Sequence, residues 1–136
     1  MKFTSFEELN IWKESIEIAK KIYEITGDSL FAKDFALRDQ LRRAAISISS
    51  NIVEGFERDN NNEFVRYLKI AKGSTGEVRS QLYLSKEIGY VSSELFLGMN
   101  TKLHDLSLQI GKLISYLELK RSEGEFFPKP VNSRTR

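Results

Sequence analysis

Apolar residues recur every three or four positions along four long segments of the chain, which is the spacing of amphipathic helices. The predicted helices span about residues 5–26, 34–58, 61–89 and 93–120. Polar stretches of a few residues separate these segments, so neighbouring helices should run antiparallel. The pattern therefore predicts an all-α fold, an antiparallel up-down-up-down four-helix bundle. Residues able to cap a helix start precede the last three segments: Asp34, Asn60 or Asn61, and Ser92 or Ser93.

Three of the predicted helices carry one apolar face each, and these faces define the expected core. In the second helix the face consists of Leu37, Leu41, Ala44, Ala45, Ile48 and Ile52. In the third it consists of Phe64, Leu68, Ala71, Thr75, Val78, Leu82 and Ser85. In the fourth it consists of Met99, Leu103, Leu106, Ile110, Leu113 and Leu117, a heptad spacing that suits nearly parallel packing in a bundle.

The first predicted helix differs, because two apolar rows run along it. It should begin at Thr4 or Ser5, each with a glutamate three residues later that can close a capping box. Together the rows cover close to 200° of the helix surface by rotation at about 100° per residue, more than one core requires. We therefore expect the second row to contact another subunit. The first row is Leu9, Trp12, Ile16, Ala19 and Tyr23; the second is Ile11, Ile18, Ile22 and Ile25.

A stripe of polar residues lies beside the apolar face of the second helix, three or four residues apart. It could be an ordinary solvated face, which the rarity of buried charge favours. It could also be a partly buried network, since the Asn51 amide can bond a donor and an acceptor on a neighbouring helix or subunit. We predict a structural rather than a catalytic role. The stripe is Gln40, Arg43, Ser47, Asn51, Glu54 and Arg58.

The same segment carries a resemblance to a known family. QLRRAAISISSNIVEGFER, residues 40–58, and the later EFVRYLKIAKGSTGEV resemble the bacterial four helix bundle protein family, some of whose members are encoded in intervening sequences of large-subunit ribosomal RNA genes. The resemblance covers roughly residues 5–118. It departs at Ala32, where the family commonly has proline, and at Val53, where alanine is usual.

The resemblance implies the bundle fold and a cyclic homo-oligomer. The accessory proteins of diversity-generating retroelements are similar to this family, form a pentameric barrel and work with nucleic acid and a reverse transcriptase. A homopentamer and an RNA partner are therefore expected by resemblance. A gene's location inside a ribosomal RNA insertion is an association, however, and does not make the protein bind that RNA.

Composition and charge refine this picture. The 136 residues suffice for one domain, predicted at residues 1–120, and the proline-containing, basic tail at residues 121–136 is expected to be disordered. Residues 1–119 carry 16 Lys and Arg against 17 Asp and Glu, so the body is not basic as a whole. The chain has no cysteine, no signal-peptide pattern and no apolar run long enough for a membrane span. We expect a cytoplasmic protein.

The residues predict neither an enzyme nor a cofactor or metal site. His104 is the only histidine, and it has no cysteine nucleophile or second histidine to work with. Glu54 and Glu57 lack the histidine that a di-metal motif in a bundle requires. Gly73 and Gly76 lie within the third helix and, without a Walker motif, are expected to allow a close contact between helices.

Two functions remain. The first is nucleic-acid binding, favouring structured RNA, through basic residues of the second and third helices. From Arg38 to Lys86 there are 9 basic and 6 acidic residues, an excess that assembly would multiply. The second is a structural scaffold or adaptor that binds another protein. The residues expected to meet phosphate are Arg38, Arg42, Arg66, Lys69, Lys72 and Arg79.

Overall fold

A computed structural model describes residues 3–122 of the chain, except for the side chains of residues 29, 121 and 122. Within this range the secondary structure is entirely helical. The predicted tail lies outside the described residues, apart from the end of the last helix. The elements are a short 3₁₀ helix (Phe6–Glu8), α1 (Asn10–Thr26), α2 (Ser29–Lys33), α3 (Phe35–Glu57), α4 (Asn61–Glu87) and α5 (Ser93–Ser122).

The predicted caps hold three of the helix starts. An Asp34 carboxylate oxygen accepts from the Leu37 amide at 3.1 Å, and the Asn60 side chain accepts from the Glu63 amide at 2.9 Å. The Ser92 hydroxyl accepts from the Leu95 amide at 3.0 Å, directly before α5. These bonds satisfy amides that have no partner within the helix, which fixes where each helix begins.

Two short segments differ from the prediction. The backbone amide and hydroxyl of Thr4 donate to the Glu8 carboxylate, at 3.0 and 2.8 Å, closing a 3₁₀ turn, and α1 begins only at Asn10. Residues 29–33, which fall between the first two predicted helices, form the one-turn helix α2. Its Phe31 is buried, with its ring centroid 5.1 Å from that of Tyr90. Burial of one aromatic side chain thus stabilises a helix too short to form alone.

The core confirms the apolar faces predicted for α3, α4 and α5, with Leu37 and Leu113 only partly buried. Polar Thr75 and Ser85 are also buried, because each hydroxyl donates to a carbonyl of its own helix. Burying a large apolar side chain contributes about 1.5–3 kcal/mol, so these rows hold the helices together. The structure is therefore an all-helical bundle around one core.

The predicted subunit interface on α1 is wrong. Ile11, Ile18, Ile22 and Ile25 are buried inside this chain, at 6, 3, 0 and 9% exposure. In the other row Leu9 is buried and Trp12 and Ala19 are partly buried against the core, whereas Ile16 and Tyr23 are 38 and 44% exposed. Both rows have a helical period, and periodicity alone does not say which of two rows meets the core. The isoleucine row is the buried one because it points between α3 and α5, the helices beside which α1 packs.

The four long helices surround the core so that two pairs lie opposite each other. Helix α1 packs beside α3 and α5, and α4 packs beside the same two helices; within the described range α1 is not adjacent to α4, nor is α3 adjacent to α5. We call the outer surface shared by α1 and α3 the α1–α3 flank; it exposes Ile16, Tyr23 and Ile46. The outer surface shared by α4 and α5 is the α4–α5 flank, on the opposite side.

The close contact between helices occurs at a different glycine from those predicted. A Cβ atom on Gly55 of α3 would lie 2.7 Å from Tyr67 Cβ and 3.0 Å from Phe64 Cδ1 of α4. A Cβ atom on Gly73 or Gly76 would meet nothing within 4 Å. Gly55 therefore sets the approach of α3 to α4, whereas the two glycines of α4 face outward.

Candidate nucleic-acid interface

The six basic residues predicted to meet phosphate do not form one surface. Arg38 and Arg42 lie on α3 on its α1 side, where Arg42 contacts Tyr23 and Thr26. Lys69, Lys72 and Arg79 lie on α4 along its α5 side, and Arg66 lies at the start of α4 next to the turn from α3. The two arginines of α3 are thus on the flank opposite the α4 row.

Arg42 and Arg38 are engaged in holding helices together. The Arg42 Nε donates to the Thr26 hydroxyl at 2.8 Å, and its guanidinium lies 4.4 Å from the centre of the Tyr23 ring. Arg38 pairs with Asp39 at 2.9 Å and donates to the Ala32 carbonyl at 3.2 Å. Each cation has partners across the joint between α3 and the preceding helices, so a structural role accounts for both.

Two arginines stack on one tyrosine at the α3–α4 turn. Arg58 donates to the Tyr67 hydroxyl at 2.7 Å and lies 5.0 Å from the ring centre, while Arg66 lies 4.5 Å from it. Arg66 also donates to Glu63 at 3.0 Å, which lowers the pKa of that carboxyl and raises the pKa of the guanidinium. Glu63 offsets much of the local positive charge. Glu54 is a second acidic neighbour, 3.8 Å from Arg58.

The α4 row is the more open basic surface. Lys69 Nζ lies 3.4 Å from a Glu118 oxygen, with 60% of the lysine side chain exposed. The Lys72 side chain crosses Gly111, with Cε 3.3 Å from the position of a Cβ there. Arg79 Nε donates to Asn100 at 2.8 Å, a neutral partner that leaves its charge intact. Lys86 continues the row about two turns further, 4.7 Å from the Tyr83 ring centre and beside Glu87.

The polar stripe of α3 is partly a hydrogen-bonded network. The Asn51 amide nitrogen donates to the Ser47 carbonyl at 2.8 Å and to its hydroxyl at 3.0 Å, and the Ser47 and Ser74 hydroxyls lie 2.9 Å apart. The bonds of Asn51 stay within its own helix, so the link to α4 is made by the two serines rather than by the amide as expected. Gln40 and Arg43 are exposed, as the alternative interpretation requires.

Sequence reasoning did not identify Tyr67, the residue on which two cations stack. An aromatic residue next to Arg66 and opposite Arg58 is nevertheless a pattern typical of cation–π contacts. Lys86 is also absent from the predicted set, which ends at Arg79. The adjacency of α4 to α5, which makes the row a surface, has no signal in the sequence.

Among residues 3–122, no three histidine, cysteine, aspartate or glutamate side chains come together in a way that could hold a metal ion. His104 is exposed on α5. None of the helices in the described range is both long and apolar enough to cross a membrane.

Comparison with known proteins first supports the fold class. A crystal structure of a protein with unknown function from the S23 ribosomal protein family of Bacteroides thetaiotaomicron VPI-5482 superposes with a TM-score of 0.70 at 23% identity, covering 76% of this chain and 97% of that one. At this identity the likeness concerns the fold alone. Comparison with curated proteins gives no match.

The family is established by the sequence match itself. Residues 7–112 match the family described as 23S rRNA-intervening sequence protein. The match covers most of the bundle, from the 3₁₀ helix into α5. The chain belongs to this family.

Proposed function

We propose that this chain is a non-enzymatic, cytoplasmic RNA-binding protein that uses the α4–α5 flank. One observation carries the proposal: Lys69, Lys72 and Arg79 share the edge of α4 that borders α5. From residue 69 to 79 an α-helix rises about 15 Å, enough for a row of cations to follow several backbone phosphates. The family name, 23S rRNA-intervening sequence protein, agrees with an RNA partner.

The binding should depend on RNA shape and backbone rather than on sequence. Contacts of lysine and arginine with phosphate supply affinity but no base information. Lys86 lies over the ring of Tyr83, which is near the row. The aromatic residues there are not arranged as a platform on which successive bases could stack. A-form RNA helices are recognised mainly by shape and by contacts to phosphate and 2′-hydroxyl groups. Structured RNA is therefore the preferred ligand class.

Contacts within the chain narrow the set of residues that serve this function. Arg38 and Arg42 are committed to their own chain on the opposite flank, so they are not part of the proposed site. Arg66 has partners in Glu63 and Tyr67 and can contribute only from the rim. We assign the binding of phosphate to Lys69, Lys72 and Arg79, extended by Lys86.

The test compares two matched double variants by filter binding to a structured RNA at several salt concentrations. Lys69→Ala with Lys72→Ala should weaken binding to all sequences alike. It should also reduce the log–log salt slope by about 0.7–0.9 for each phosphate that the variant no longer neutralises. Lys13→Ala with Lys20→Ala removes the same charge from the outside of α1 and should preserve the slope. Equal reductions in the two double variants would refute the assigned surface.

The basic tail needs its own arm of the experiment. Lys129→Ala, Arg134→Ala and Arg136→Ala in the full chain remove three positive charges and leave the sequence of the described helices unchanged. Binding should persist in this variant and keep its dependence on Lys69 and Lys72. If it disappears, the tail rather than the α4–α5 flank binds the RNA, and the proposal fails.

We also propose that the chain is an up-down-up-down bundle that assembles with copies of itself into a ring, a pentamer by family resemblance. The corrected contact surface is the α1–α3 flank, where Ile16, Tyr23 and Ile46 are 38, 44 and 43% exposed. Ile16→Glu with Ile46→Glu should reduce the mass measured by light scattering, whereas Leu108→Glu on α5 should not. A wild-type mass of 15.7 kDa would exclude assembly.

A scaffold or adaptor role is the second candidate, and α5 supplies the observation that favours it. Leu97 and Leu108 are 60 and 52% exposed. They are eleven residues apart, which is about three helical turns, so both point to the same side. Two exposed leucines on one side of a helix can contact a partner helix. Absence of salt-sensitive RNA binding by the wild-type chain would favour this function.

A further inference from the structure

The α4–α5 flank has a second edge, which α5 contributes beside the basic row of α4. Two contacts show where this edge runs. Asn100 accepts from Arg79 Nε at 2.8 Å, and Lys72 crosses Gly111, with Cε 3.3 Å from the position of a Cβ there. Asn100 and Gly111 both belong to α5, so the side of α5 that carries them faces the cations of α4.

His104 lies on the same side of α5. An α-helix turns by about 100° per residue, so His104 is rotated by about 40° from Asn100 and by about 20° from Gly111. Along the helix axis it lies between them, about 6 Å from Asn100 and about 10 Å from Gly111. The histidine is exposed, whereas Asn100 and Gly111 are partly buried. The imidazole is therefore accessible to a ligand that binds Lys72 and Arg79.

On the α4 side, the charged groups closest to the imidazole are cations. Lys72 and Arg79 border this part of α5 through Gly111 and Asn100. Glu118, an acid that shares the edge, lies about two turns beyond Gly111 and pairs with Lys69 at 3.4 Å. An anion bound between Lys72 and Arg79 thus meets an imidazole on the α5 side.

The nearest acids in α5 and α1 face away from this edge. Asp105 follows the histidine in sequence but accepts from Gln109 at 2.8 Å, on the side of α5 that packs beside α1. Gln109 also donates to Glu14 of α1. Lys102 lines a groove with Glu14 on that same side. Lys112 is rotated by about 80° from the histidine, so it does not share the edge that faces α4.

We propose that His104 is a further nucleic-acid-binding residue of the α4–α5 flank and contacts backbone phosphate in its protonated form. The inference rests on the proposed RNA-binding function and adds a dependence on pH to it. Histidine side chains ordinarily change charge between about pH 5 and 8. The neutral ring has one N–H donor, whereas the imidazolium has two donors and a positive charge. Because bound phosphate stabilises the charged ring, RNA should bind more tightly as the pH falls through this range.

The pH dependence can be assigned to one residue, because His104 is the only histidine of the chain. Filter binding of the full chain to an RNA hairpin is measured at about pH 7.0 and about pH 5.5, between the ordinary ranges of carboxyl and α-amino groups. The wild type should bind roughly three- to tenfold more tightly at the lower pH, since a contacting anion favours the charged form of a group by about tenfold or more.

Two variants at this position separate charge from shape. His104→Gln keeps a neutral hydrogen-bonding side chain, so it should match the wild type within about twofold at the higher pH and gain nothing at the lower pH. His104→Arg is always charged and should bind tightly at both. The matched control is Gln40→His in the His104→Gln background. Gln40 is exposed on α3, which is not adjacent to α5 in the described range, so this change should not restore the pH dependence.

The outcomes separate this inference from the function on which it rests. Salt-sensitive binding that depends on Lys72 but is equal at both pH values would leave RNA binding in place and overturn the role of His104. Retained pH dependence in His104→Gln, its return in the Gln40→His control, or weaker binding of His104→Gln at the higher pH would also overturn it. Absence of salt-sensitive binding by the wild type would refute the RNA-binding function, and this inference with it. Circular dichroism and light scattering should be the same for all variants at both pH values.

Discussion

Two contacts of this bundle are built from opposite kinds of residue. Helices α3 and α4 approach each other through small residues: Gly55 touches Phe64 and Tyr67, and the Ser47 and Ser74 hydroxyls lie 2.9 Å apart. Helix α1 instead enters the core with branched aliphatic side chains such as Ile18 and Ile22, at 3 and 0% exposure. The contact between α3 and α4 depends on the absence of side-chain atoms at Gly55, and the contact of α1 with the core depends on the volume of its isoleucines.

This difference predicts that the two contacts respond to mutation in opposite ways. Where helices meet through small residues, added atoms have no space and force the backbones apart. Where a large side chain fills the core, removed atoms leave a cavity and reduce the buried apolar surface.

The largest effect is expected on α1. Ile22→Ala should lower the free energy of unfolding by about 2–5 kcal/mol, because it empties a fully buried site. Ile16→Ala, at an exposed position of the same helix, should cost less than about 1 kcal/mol in the dissociated chain. Urea denaturation of both variants measures the difference. Equal destabilisation would mean that the two rows are not separated into core and surface.

The next effect is expected between α3 and α4. Gly55→Ala places a Cβ 2.7 Å from that of Tyr67 and should cost about 1–3 kcal/mol, despite the better helix propensity of alanine. Gly73→Ala and Gly76→Ala meet nothing within 4 Å and should each stabilise the chain by about 0.5–1 kcal/mol. Melting temperatures should therefore move in opposite directions. A stabilising Gly55→Ala would show that α3 and α4 can separate at no cost.

The comparison also shows what the sequence could and could not predict. The faces of α3, α4 and α5 were predictable, because each helix has one apolar row bounded by polar residues. The two rows of α1 were not distinguishable, since periodicity records the angle of a residue around its own helix and not its neighbours. The prediction for Gly73 and Gly76 was wrong for the same reason. Whether a glycine allows a close helix contact depends on the residue that faces it, and Phe64 faces Gly55.

The candidate binding site also has features that the sequence predicts and features that depend on tertiary structure. Local sequence identified basic residues on α3 and α4, of which Arg66, Lys69 and Lys72 are exposed and the other three are partly buried. It could not show that Arg42 reaches Thr26 and Tyr23 on α1 while Lys69 and Arg79 border α5, because the order of helices around the core is a tertiary property. Tyr67 likewise gains its significance only when the turn after α3 brings Arg58 over its ring.

The smallest effect is expected in the hydroxyl link between α3 and α4. Ser74→Ala removes one member of the pair with Ser47, and Asn51→Leu removes the amide that donates to the Ser47 carbonyl and hydroxyl. Each should cost about 0.5–1.5 kcal/mol, the net value of a neutral hydrogen bond. Ser80→Ala, on the exposed side of α4, is the matched control and should stay within about 0.5 kcal/mol of the wild type.

Because Ser74 and Asn51 both interact with Ser47, the effect of the double variant should not equal the sum of the two single effects. Once Asn51 is replaced, the Ser47 hydroxyl can turn fully toward Ser74, so the second substitution should cost a different amount in the variant than in the wild type, by about 0.5 kcal/mol or more. Denaturation of all four members of the cycle measures this coupling. Additive effects together with a silent Ser74→Ala would assign the stripe to solvent, and the α3–α4 contact would then rest on Gly55 and the apolar core alone.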